Sequence, residues 1–445
     1  MEHQNLSQAR EQILSAVRAY AEQQHAGGGG EPRRRIPYAG RVYDQEEGVN
    51  LVDSALEVWL TSGRYTEQFE QELSRYLGAG YCSFVNSGSS ANLLAFSALT
   101  VPELGERQIR RGDEVITVAC GFPTTVAPIL QYGAVPVFVD IQIPTYNVAV
   151  SALEDACSSR TKAVILAHTL GNPFDLRAVK DFCRRHNLWL IEDNCDALGA
   201  EFYMDGAYRK TGTIGDIGTS SFYPAHHITT GEGGAVYTND QELHRIIRCM
   251  GEWGRACVCP SGRDNVCGHR FDGQFGTLPA GYDHKYVYNH FGYNLKATDM
   301  QAAIGVAQMK KLQDFIARRN ANFSKLRSGL AHLSGRLIFP EVCENAKPSW
   351  FGFPIMCACP GQRGRIVRAL EQAGIQTRML FAGNLVRHPC FDSIREEPGV
   401  FRVSGTLTDT DRVVNDTFWI GVYPGLSDQD IGCMISSLEK AVAEV

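Results

Sequence analysis

Two short segments contain residues that together could hold a small anionic cofactor. Gly88, Ser89 and Ser90 follow a strand-like run and open a helical pattern, so backbone N–H groups and hydroxyls would meet where a helix N-terminus favours a phosphate. Further on, LWLIEDNCDALG ends a β-rich run and continues into Asp193 and Asp196. A carboxylate at the carboxyl edge of a sheet can keep a pyridine nitrogen protonated. Taken alone, the two segments are also explained by an ordinary helix cap and a solvated strand end.

A second group of reactive residues is a set of closely spaced cysteines. Cys257, Cys259 and Cys267 lie in GRACVCPSGRDNVCGHR, a loop rich in Gly, Pro, Ser and Arg that offers no apolar core in which thiols could pack. Closely spaced loop thiols favour metal ligation, by an iron–sulfur cluster or by zinc. Cys357 and Cys359 have the same spacing as the first pair but lie in the strand-like SWFGFPIMCACP, so packing explains them.

The composition indicates which kind of protein carries these groups. The 445 residues are 44% apolar and 21% charged, and 43 basic against 49 acidic residues give a net charge of −6. This balance argues against a mainly electrostatic nucleic-acid binder. The sequence has no signal-like N-terminus and no apolar run of about 18 residues, which argues against secretion and membrane insertion. We expect a cytoplasmic protein whose 14 cysteines are reduced.

The order of the predicted elements indicates an α/β protein. Between about residues 81 and 239, short β-rich apolar runs alternate with helical patterns, which is typical of a mostly parallel sheet covered by helices. We predict an N-terminal helical arm with a Gly-rich linker over residues 1–35, a large domain over 36–310 and a smaller C-terminal α+β domain over 311–445. The triplet Arg33–Arg35 in the linker is best explained as a solvated charge run.

The segment over residues 220–234 gives these patterns a common explanation. It reads SSFYPAHHITTGEGG and resembles the stretch Ser-Phe-x-Pro-x-Lys-x-Ile/Leu-Thr-Thr-Gly-Glu-Gly-Gly of the DegT/DnrJ/EryC1/StrS sugar aminotransferase family. Matches at WLTSG (59–63), GFPT (121–124), GYNL (292–295) and TDMQAA (298–303) extend the resemblance over roughly residues 36–445. The resemblance implies a type I aminotransferase fold, the α/β fold of pyridoxal-phosphate-dependent transferases, with a mostly parallel seven-stranded sheet in the large, cofactor-binding domain.

The resemblance also implies which residues bind the cofactor. Those expected at its phosphate are Gly88, Ser89, Ser90 and Ser221, with Asn294 contributed by the other subunit of a homodimer. Those expected at its ring are Phe122, which stacks on it, Asp193, which pairs with its nitrogen, and Asp196 and Tyr223, which flank it.

Position 226 departs from the family pattern, because His226 stands where the Schiff-base lysine is expected. An imidazole, with an unperturbed pKa of about 6.5, can act as a general base but cannot anchor an aldehyde cofactor as a stable imine. The cofactor is therefore expected to bind noncovalently as pyridoxamine 5′-phosphate (PMP). The sequence is similar to the 3-dehydratase branch of the family, in which histidine replaces this lysine. That similarity implies C3 deoxygenation of a nucleoside-diphosphate 4-keto-6-deoxyhexose.

The cysteine loop, near residues 255–270, is similar to that of the dehydratases that carry a [2Fe–2S] cluster. In that subgroup a fourth ligand follows the Glu-Asp strand end, and the corresponding residue here is Cys195. An apparent insertion around residues 203–210 lengthens the segment between Cys195 and Cys257, which leaves open whether Cys195 is the fourth ligand. The resemblance implies a separate electron donor, either an NAD(P)H-dependent flavin and iron–sulfur reductase or a ferredoxin, since no flavin or nicotinamide fingerprint is present.

Several alternatives stay open at the level of sequence. The same four thiolates would also suit a structural zinc ion. The chain could be a cluster-free PMP-dependent dehydratase, a sugar aminotransferase relative or a non-enzymatic cofactor-binding regulator, although no DNA-binding motif is present. The sequence decides neither between CDP and dTDP as the nucleotide nor whether the sugar already lacks its 2-hydroxyl.

Overall fold

A computed structural model describes residues 2–26, 35–257, 259 and 261–445. The helices of these residues are α1 (Glu2–Ala26), α2 (Gln45–Ala55), α3 (Arg64–Leu77), α4 (Gly88–Ala98), α5 (Pro123–Tyr132), α6 (Leu153–Ala156), α7 (Leu176–Arg185), α8 (Gln241–Gly251), α9 (Asp299–Met309), α10 (Leu312–Gly329), α11 (Arg363–Gln372), α12 (Thr408–Asp416) and α13 (Asp428–Ala443). None of them is long and apolar enough to cross a membrane.

The strands fall into four sheets. They are β1 (Tyr81–Val85), β2 (Glu114–Val118), β3 (Val135–Val139), β4 (Ile141–Gln142), β5 (Asn147–Val148), β6 (Thr161–Ala167), β7 (Trp189–Asp193), β8 (Glu201–Met204), β9 (Ala207–Lys210), β10 (Ile217–Ser221), β11 (Gly234–Thr238), β12 (Leu337–Ile338), β13 (Ala346–Lys347), β14 (Gly352–Cys357), β15 (Thr377–Arg378), β16 (Arg402–Val403) and β17 (Thr417–Gly421).

The largest sheet has the order β1-β11-β10-β7-β6-β2-β3-β16. Every pair from β10 to β16 is parallel, whereas β11 is antiparallel to both β1 and β10. Val115 packs into one apolar cluster, and Ile116 and Val118 pack into another, so β2 is buried on both faces. This explains why the strand sequences are continuous apolar runs, and it confirms the predicted mostly parallel α/β sheet.

The strand count differs by one from the prediction. The seven strands from β1 to β3 in the sheet order all come from the predicted large domain, and β16, from the C-terminal region, adds an eighth beside β3. Arg402 of β16 donates from Nη2 to Oε2 of the buried Glu114 at 2.8 Å, which ties the region to the sheet. A two-residue strand has no periodicity, so the sequence pattern could not reveal it.

The C-terminal region also has an apolar core of its own. Its sheet has the antiparallel order β12-β14-β17-β15, and Phe353 and Phe418 from β14 and β17 are fully buried in this core. Ile36, which precedes the large sheet in the chain, packs in the same core and bridges to Ile375. The division into domains at residues 35 and 310 stays a prediction.

The N-terminal arm and the insertion both have regular structure. Helix α1 packs against α2, and Nε of Arg10 lies 2.6 Å from Oδ1 of Asp53. The apparent insertion forms the hairpin β8–β9, and β13 pairs with β8. The predicted Gly-rich linker, with Arg33 and Arg34, lies outside the described residues, whereas Arg35 pairs with Glu371.

Candidate functional site

The phosphate seat lies where β1 leads into α4. Ser87 caps the helix, since its Oγ accepts from the backbone N–H of Ser90 at 3.0 Å. A Cβ on Gly88 would come within 2.3 Å of the Cβ of Ser221 at the end of β10, so only glycine allows this close approach. Ser87, Gly88, Ser89 and Ser221 line one cavity. The result is a narrow cradle at the positive end of a helix dipole, which fits a phosphate.

The carboxylate of Asp193 lies at the carboxyl end of β7 on the same cavity. Its Oδ2 accepts from Nδ2 of Asn92 at 2.8 Å and from Oγ1 of Thr125 at 2.7 Å. Its Oδ1 accepts from the backbone N–H of Cys195 at 3.2 Å. Three donors therefore fix the direction of this buried carboxylate, as a partner for a ring nitrogen requires.

His226 follows β10 and lines the same cavity. Its Nε2 lies 3.3 Å from Oδ1 of Asp196, which also lines the cavity, whereas its Nδ1 is buried and has no hydrogen-bond partner. Nε2 is therefore the ring nitrogen turned toward the cavity. Burial raises the pKa of Asp196, and its contact with His226 offsets part of that rise.

A buried arginine on α10 holds the backbone that carries His226. Nη2 of Arg319 donates to the carbonyl oxygens of Ala225 and His226 at 3.1 and 2.8 Å, and Nη1 donates to the carbonyl of Phe351 at 3.2 Å. Burial lowers the pKa of Arg319 to about 9, against the opposing effect of Asp196. The imidazole ring of His226 packs at 5.3 Å, between ring centroids, against Phe351.

His227 and Tyr223, which are close to His226 in the sequence and could replace it as a base, differ in position. His227 is buried in the core, where its ring Nε2 lies 2.9 Å from the carbonyl oxygen of Ser349, and it does not line the cofactor cavity. Burial lowers the pKa of His227 well below its usual value. Tyr223 lines the cavity and is half-exposed. Of these two residues, only Tyr223 is therefore placed to contact a ligand in the cavity.

The structure brings most of the predicted cofactor residues together. Those that line the one cavity are Gly88, Ser89, Phe122, Asp193, Asp196, Ser221, Tyr223 and His226, with Cys195 among them. Ser90 is not on the cavity wall, because its backbone N–H and Oγ face the capping Ser87. Asn294 is exposed and bridges to Glu252, away from this cavity. Its expected role toward a second subunit stays a prediction.

The cysteine loop lies apart from this cavity. Cys257 and Cys259 line a second cavity together with Arg255, Lys285 and Lys296. The Sγ of Cys267 is exposed and lies 3.7 Å from Nε2 of His284. These residues bring soft donors and positive charge to one place, which suits an anionic metal cluster.

Cys195 occupies a different environment from the other three predicted metal ligands. Its Sγ lies 3.1 Å from the position that a Cβ on Gly88 would take, beside the phosphate seat. Burial raises the pKa of the Cys195 thiol well above its usual value, and the neighbouring Asp193 adds to the rise. Its assignment as the fourth ligand stays a prediction.

The geometry of the first cavity agrees with the evolutionary relationship of the chain. Residues 42–439 match the DegT/DnrJ/EryC1/StrS aminotransferase family. The chain belongs to this family. The predicted family and fold are thereby confirmed, and the phosphate cradle and the fixed Asp193 carboxylate fit the family's pyridoxal-type cofactor.

Two relatives in this aminotransferase family cover nearly the whole chain. The sequence is 51% identical over 407 residues to the lipopolysaccharide biosynthesis protein RfbH of Salmonella typhimurium, covering 91% of each chain. It is 47% identical over 438 residues to the dTDP-4-dehydro-2,6-dideoxy-D-glucose 3-dehydratase of Saccharopolyspora spinosa, covering 98% of this chain and 93% of that one.

A solved structure in the family gives the same fold. The Escherichia coli GDP-4-keto-6-deoxy-D-mannose-3-dehydratase with bound hydrated PLP superposes with a TM-score of 0.79 at 28% identity. The match covers 90% of this chain and 98% of that one.

Sequence reasoning missed several residues of this candidate site. They are the polar groups that hold Asp193, namely Asn92 and Thr125, the buried Arg319, and four cavity-lining residues, Tyr38, Phe351, Arg378 and Trp419. Asn92 had a signal, because it lies two residues after Ser90 in the segment expected at the phosphate. Thr125 directly follows the matched segment GFPT (121–124), whereas the others lie in segments without a motif, so only the fold brings them to the site.

Proposed function

We propose that this chain is a PMP-dependent 3-dehydratase of a nucleoside-diphosphate 4-keto-6-deoxyhexose. The observation that carries the proposal is His226, which stands at the lysine position and turns Nε2 toward the cavity beside Asp196. None of the described residues that line the cavity is a lysine. A site without that amine cannot hold an aldehyde cofactor as an internal imine, whereas an imidazole can still move a proton. The names of the Saccharopolyspora spinosa relative and of the solved Escherichia coli protein, both 3-dehydratases, support the same reaction.

When bound, the cofactor supplies an amine for the 4-keto group and an electron sink that assists loss of the C3 hydroxyl. Residues of the chain bind the cofactor and transfer the proton. Gly88, Ser89 and Ser221 bind the phosphate, and Asp193 pairs with the ring nitrogen. Nε2 of His226 accepts the proton whose removal starts the elimination. Asn294 of each subunit completes the phosphate site of the other in a homodimer.

The sugar nucleotide enters from the side formed by the C-terminal region. The guanidinium of Arg378 lies 3.8 Å above the ring of Tyr38, and both residues line the cavity. A guanidinium is permanently charged and matches phosphate oxygens, so Arg378 is placed to attract the diphosphate. Phe351 and Trp419, whose ring centroids lie 5.4 Å apart, form an apolar part of the cavity wall.

The net reaction also needs a source of electrons. Replacing the C3 hydroxyl by hydrogen consumes two electrons and two protons and releases one water. We propose that a [2Fe–2S] cluster on the cysteine loop delivers these electrons one at a time, with Cys257, Cys259 and Cys267 as ligands and Cys195 as the fourth ligand that the family resemblance implies. A separate NAD(P)H-dependent flavin and iron–sulfur reductase, or a ferredoxin, reduces the cluster in the cytoplasm.

The reaction is tested with a panel of substrates. CDP- and dTDP-linked 4-keto-6-deoxyglucose, with and without the 2-hydroxyl, are incubated with the purified protein, PMP and a reducing system, and the products are identified by mass spectrometry. The expected product is a 3-deoxy-4-keto sugar nucleotide. An amino sugar as the product, or no product from any member of the panel, would contradict the proposal. Iron and sulfide analysis separates the cluster-dependent enzyme from a cluster-free dehydratase.

Borohydride treatment tests the role of position 226 directly. Reduction of the protein loaded with pyridoxal phosphate should leave no cofactor attached at residue 226, because imidazole forms no reducible imine. Mass spectrometry that finds a reduced cofactor adduct on any lysine of the chain would show that the chain anchors the aldehyde cofactor as an aminotransferase does. A His226→Lys variant is the positive control, since it restores an amine at the same position.

A further inference from the structure

His226 lines a third cavity in addition to the cofactor cavity, and this third cavity is small. The space in it that is open to the centre of a water molecule is about 10 Å³. One buried water needs a space of about 10–15 Å³ and two to four polar partners. His227 and Arg319 line the cavity together with His226. The cavity therefore has room for one water molecule and not for a larger ligand.

Three buried nitrogens on these residues point to an occupant. Nδ1 of His226, Nδ1 of His227 and Nε of Arg319 are buried, and none of them has a hydrogen-bond partner among the described residues. Buried polar atoms nearly always have a partner, in the protein or in ordered water, because an unpaired atom loses its hydration without compensation. Three such atoms on the residues around one small cavity indicate that they share a partner there.

The contacts of His227 decide what its Nδ1 can bind. Nε2 lies 2.9 Å from the carbonyl oxygen of Ser349, and since a carbonyl only accepts hydrogen bonds, Nε2 carries a hydrogen. Burial, together with the charge of Arg319, lowers the pKa of His227 well below its usual value, so the ring is neutral. Nδ1 therefore has a lone pair and needs a donor.

The contacts of Arg319 leave one N–H group to be satisfied. Its Nη1 and Nη2 donate to the carbonyl oxygens of Phe351, Ala225 and His226, whereas its Nε–H has no acceptor among the described residues. A cation in the cavity would be repelled by the guanidinium, and an anion would face the lone pair of His227. Water suits both groups, since it can donate to Nδ1 of His227 and accept from Nε of Arg319. One lone pair of the water is then still available.

That lone pair matters for the proposed catalytic base. Oδ1 of Asp196 lies 3.3 Å from Nε2 of His226, and a carboxylate at this nitrogen favours a hydrogen on it. A general base needs the opposite arrangement, with the hydrogen on Nδ1 and the lone pair on Nε2. The tautomer that the reaction needs must therefore be favoured from the Nδ1 side. A water that accepts from Nδ1–H has this effect.

We propose that this cavity binds one ordered water, which donates to Nδ1 of His227 and accepts from Nε of Arg319 and from Nδ1 of His226. The water keeps the hydrogen of His226 on Nδ1, so that Nε2 is free to accept the proton. After this transfer Nδ1–H stays bonded to the water oxygen. His227 is thus a positioning residue that acts through the water. The water site rests on the three nitrogens, whereas its effect on catalysis rests on the proposed function.

The site is tested in the full chain loaded with PMP. A crystal structure should show density for a water within hydrogen-bond distance of all three nitrogens. ¹⁵N NMR of histidine-labelled protein, with the signals of His226 assigned by comparison with His226→Asn, should show the tautomer that carries its hydrogen on Nδ1. Neither measurement depends on turnover.

Two matched variants of His227 separate the water from the contact with Ser349. The side-chain oxygen of Asn can replace Nδ1 and accept from the water, whereas the side-chain amide of Gln can replace Nε2 and donate to Ser349. We expect His227→Gln to lose the water and the Nδ1–H tautomer of His226, and to release tritium from labelled PMP about 3- to 10-fold more slowly, as the loss of one hydrogen bond implies. We expect His227→Asn to rescue the water, the tautomer and most of the release rate. PMP affinity should be equal in the two variants.

The outcomes distinguish this proposal from the proposed function. Slow release in His227→Asn with normal release in His227→Gln would mean that His227 acts by holding Ser349, and it would overturn the proposal. A map with no water or with an ion in the cavity would also overturn it, as would a hydrogen on Nε2 of His226 in the PMP-loaded protein. If wild type releases no tritium in the presence of substrate, the proposed function is wrong, and the map and the tautomer then decide the water site.

Discussion

The cofactor cavity and the cysteine loop are built in different ways. The cavity lies at the ends of β1, β7 and β10, which are buried on both faces, and its central carboxylate, Asp193, has three hydrogen-bond donors. Between α8 and α9, in contrast, the described residues form no helix or strand longer than the three-residue turn at 284–286. Several large apolar side chains there are exposed, among them Phe271, Tyr286 and Phe291.

The cofactor cavity is therefore preformed, whereas the order of the cysteine loop depends on its metal. Hydrophobic burial of the sheet positions the residues that line this cavity whether or not a ligand is present. The loop is held by a few backbone hydrogen bonds and by ion pairs that each contribute little, so metal ligation and loop order should be coupled. Changes in one region should therefore leave the other region functional.

The largest effect is expected from Cys257→Ser. Loss of one thiolate should abolish the visible absorption of the reconstituted cluster and the formation of 3-deoxy sugar, while PMP still binds. Cys357→Ser is the matched control, because Cys357 has the same Cys-x-Cys spacing but is buried in β14. Loss of the chromophore in the control but not in Cys257→Ser would reverse the assignment of the ligands.

His226→Asn should slow the proton transfer that starts the elimination. Removing a positioned general base typically costs about 10²–10⁴-fold. Release of tritium from the labelled methylene of PMP in the presence of substrate should fall by this factor, whereas the cluster absorption stays unchanged. Cys257→Ser should release tritium at the normal rate. Normal exchange in His226→Asn would mean that another group is the base, with Tyr223 as the next to test.

Asp193→Asn should weaken the binding of PMP and leave the cysteine loop unchanged. A hydrogen bond to a charged group contributes about 1.5–3 kcal/mol, so PMP affinity should fall about 10- to 100-fold in an equilibrium titration. Asp205→Asn, which makes the same charge change in the exposed turn between β8 and β9, is the control and should bind PMP normally. Equal affinities in the two variants would show that Asp193 does not pair with the ring.

Acid should destabilise the packing of α8 against the large sheet. Burial, with the nearby charge of Arg248, lowers the pKa of His244 to about 4, and its ring stacks on Tyr81. The unfolded chain then binds more protons between pH of about 6.5 and 4, so the stability contributed by the neutral ring is lost as the pH falls through this window. At this partly exposed site the contribution is about 1 kcal/mol. The pH dependence of chemical denaturation should be shallower in His244→Phe, and an unchanged slope would contradict the prediction.

The smallest effect is expected for the ion pair of Arg270 and Asp283. Nη2 of Arg270 lies 2.6 Å from Oδ2 of Asp283, beside the turn that carries His284. Such a pair contributes at most about 1 kcal/mol, so Arg270→Gln should lose metal to a chelator up to about fivefold faster. Arg245→Gln, which breaks a similar pair on the surface of α8, should lose it at the wild-type rate. Equal rates would mean that the pair does not order the loop.

The grouping of the predicted residues around one cavity was predictable because the family motifs are contiguous in sequence. Ser220–Gly234 contains His226, Ser221 and Tyr223, and the Glu-Asp strand end contains Asp193, so each motif carries its own residues to the cavity. The expectation of a mostly parallel sheet was confirmed for the same reason, since strands buried on both faces leave an unbroken apolar run in the sequence.

Contacts between distant segments were not predictable in this way. Arg319 reaches the carbonyl of His226 from α10, β16 joins the sheet beside β3, and Phe351 closes the cavity against the imidazole. No sequence motif lies beside these residues from which their contacts could be predicted. A side chain's long-range partner depends on how whole elements pack, and local periodicity contains no information about that packing.

The amino-acid sequence alone indicated the family, the fold, the replacement of lysine by histidine at position 226 and the presence of a thiol-rich loop. Which side chains meet depends on the tertiary structure. The fold sets Cys195 against Gly88 in the cofactor cavity and brings His284 close to Cys257 and Cys259. The physical reason is that the antiparallel pairing of residues 255–256 with 287–288 brings together residues that are far apart in the chain, and no local sequence pattern contains that pairing.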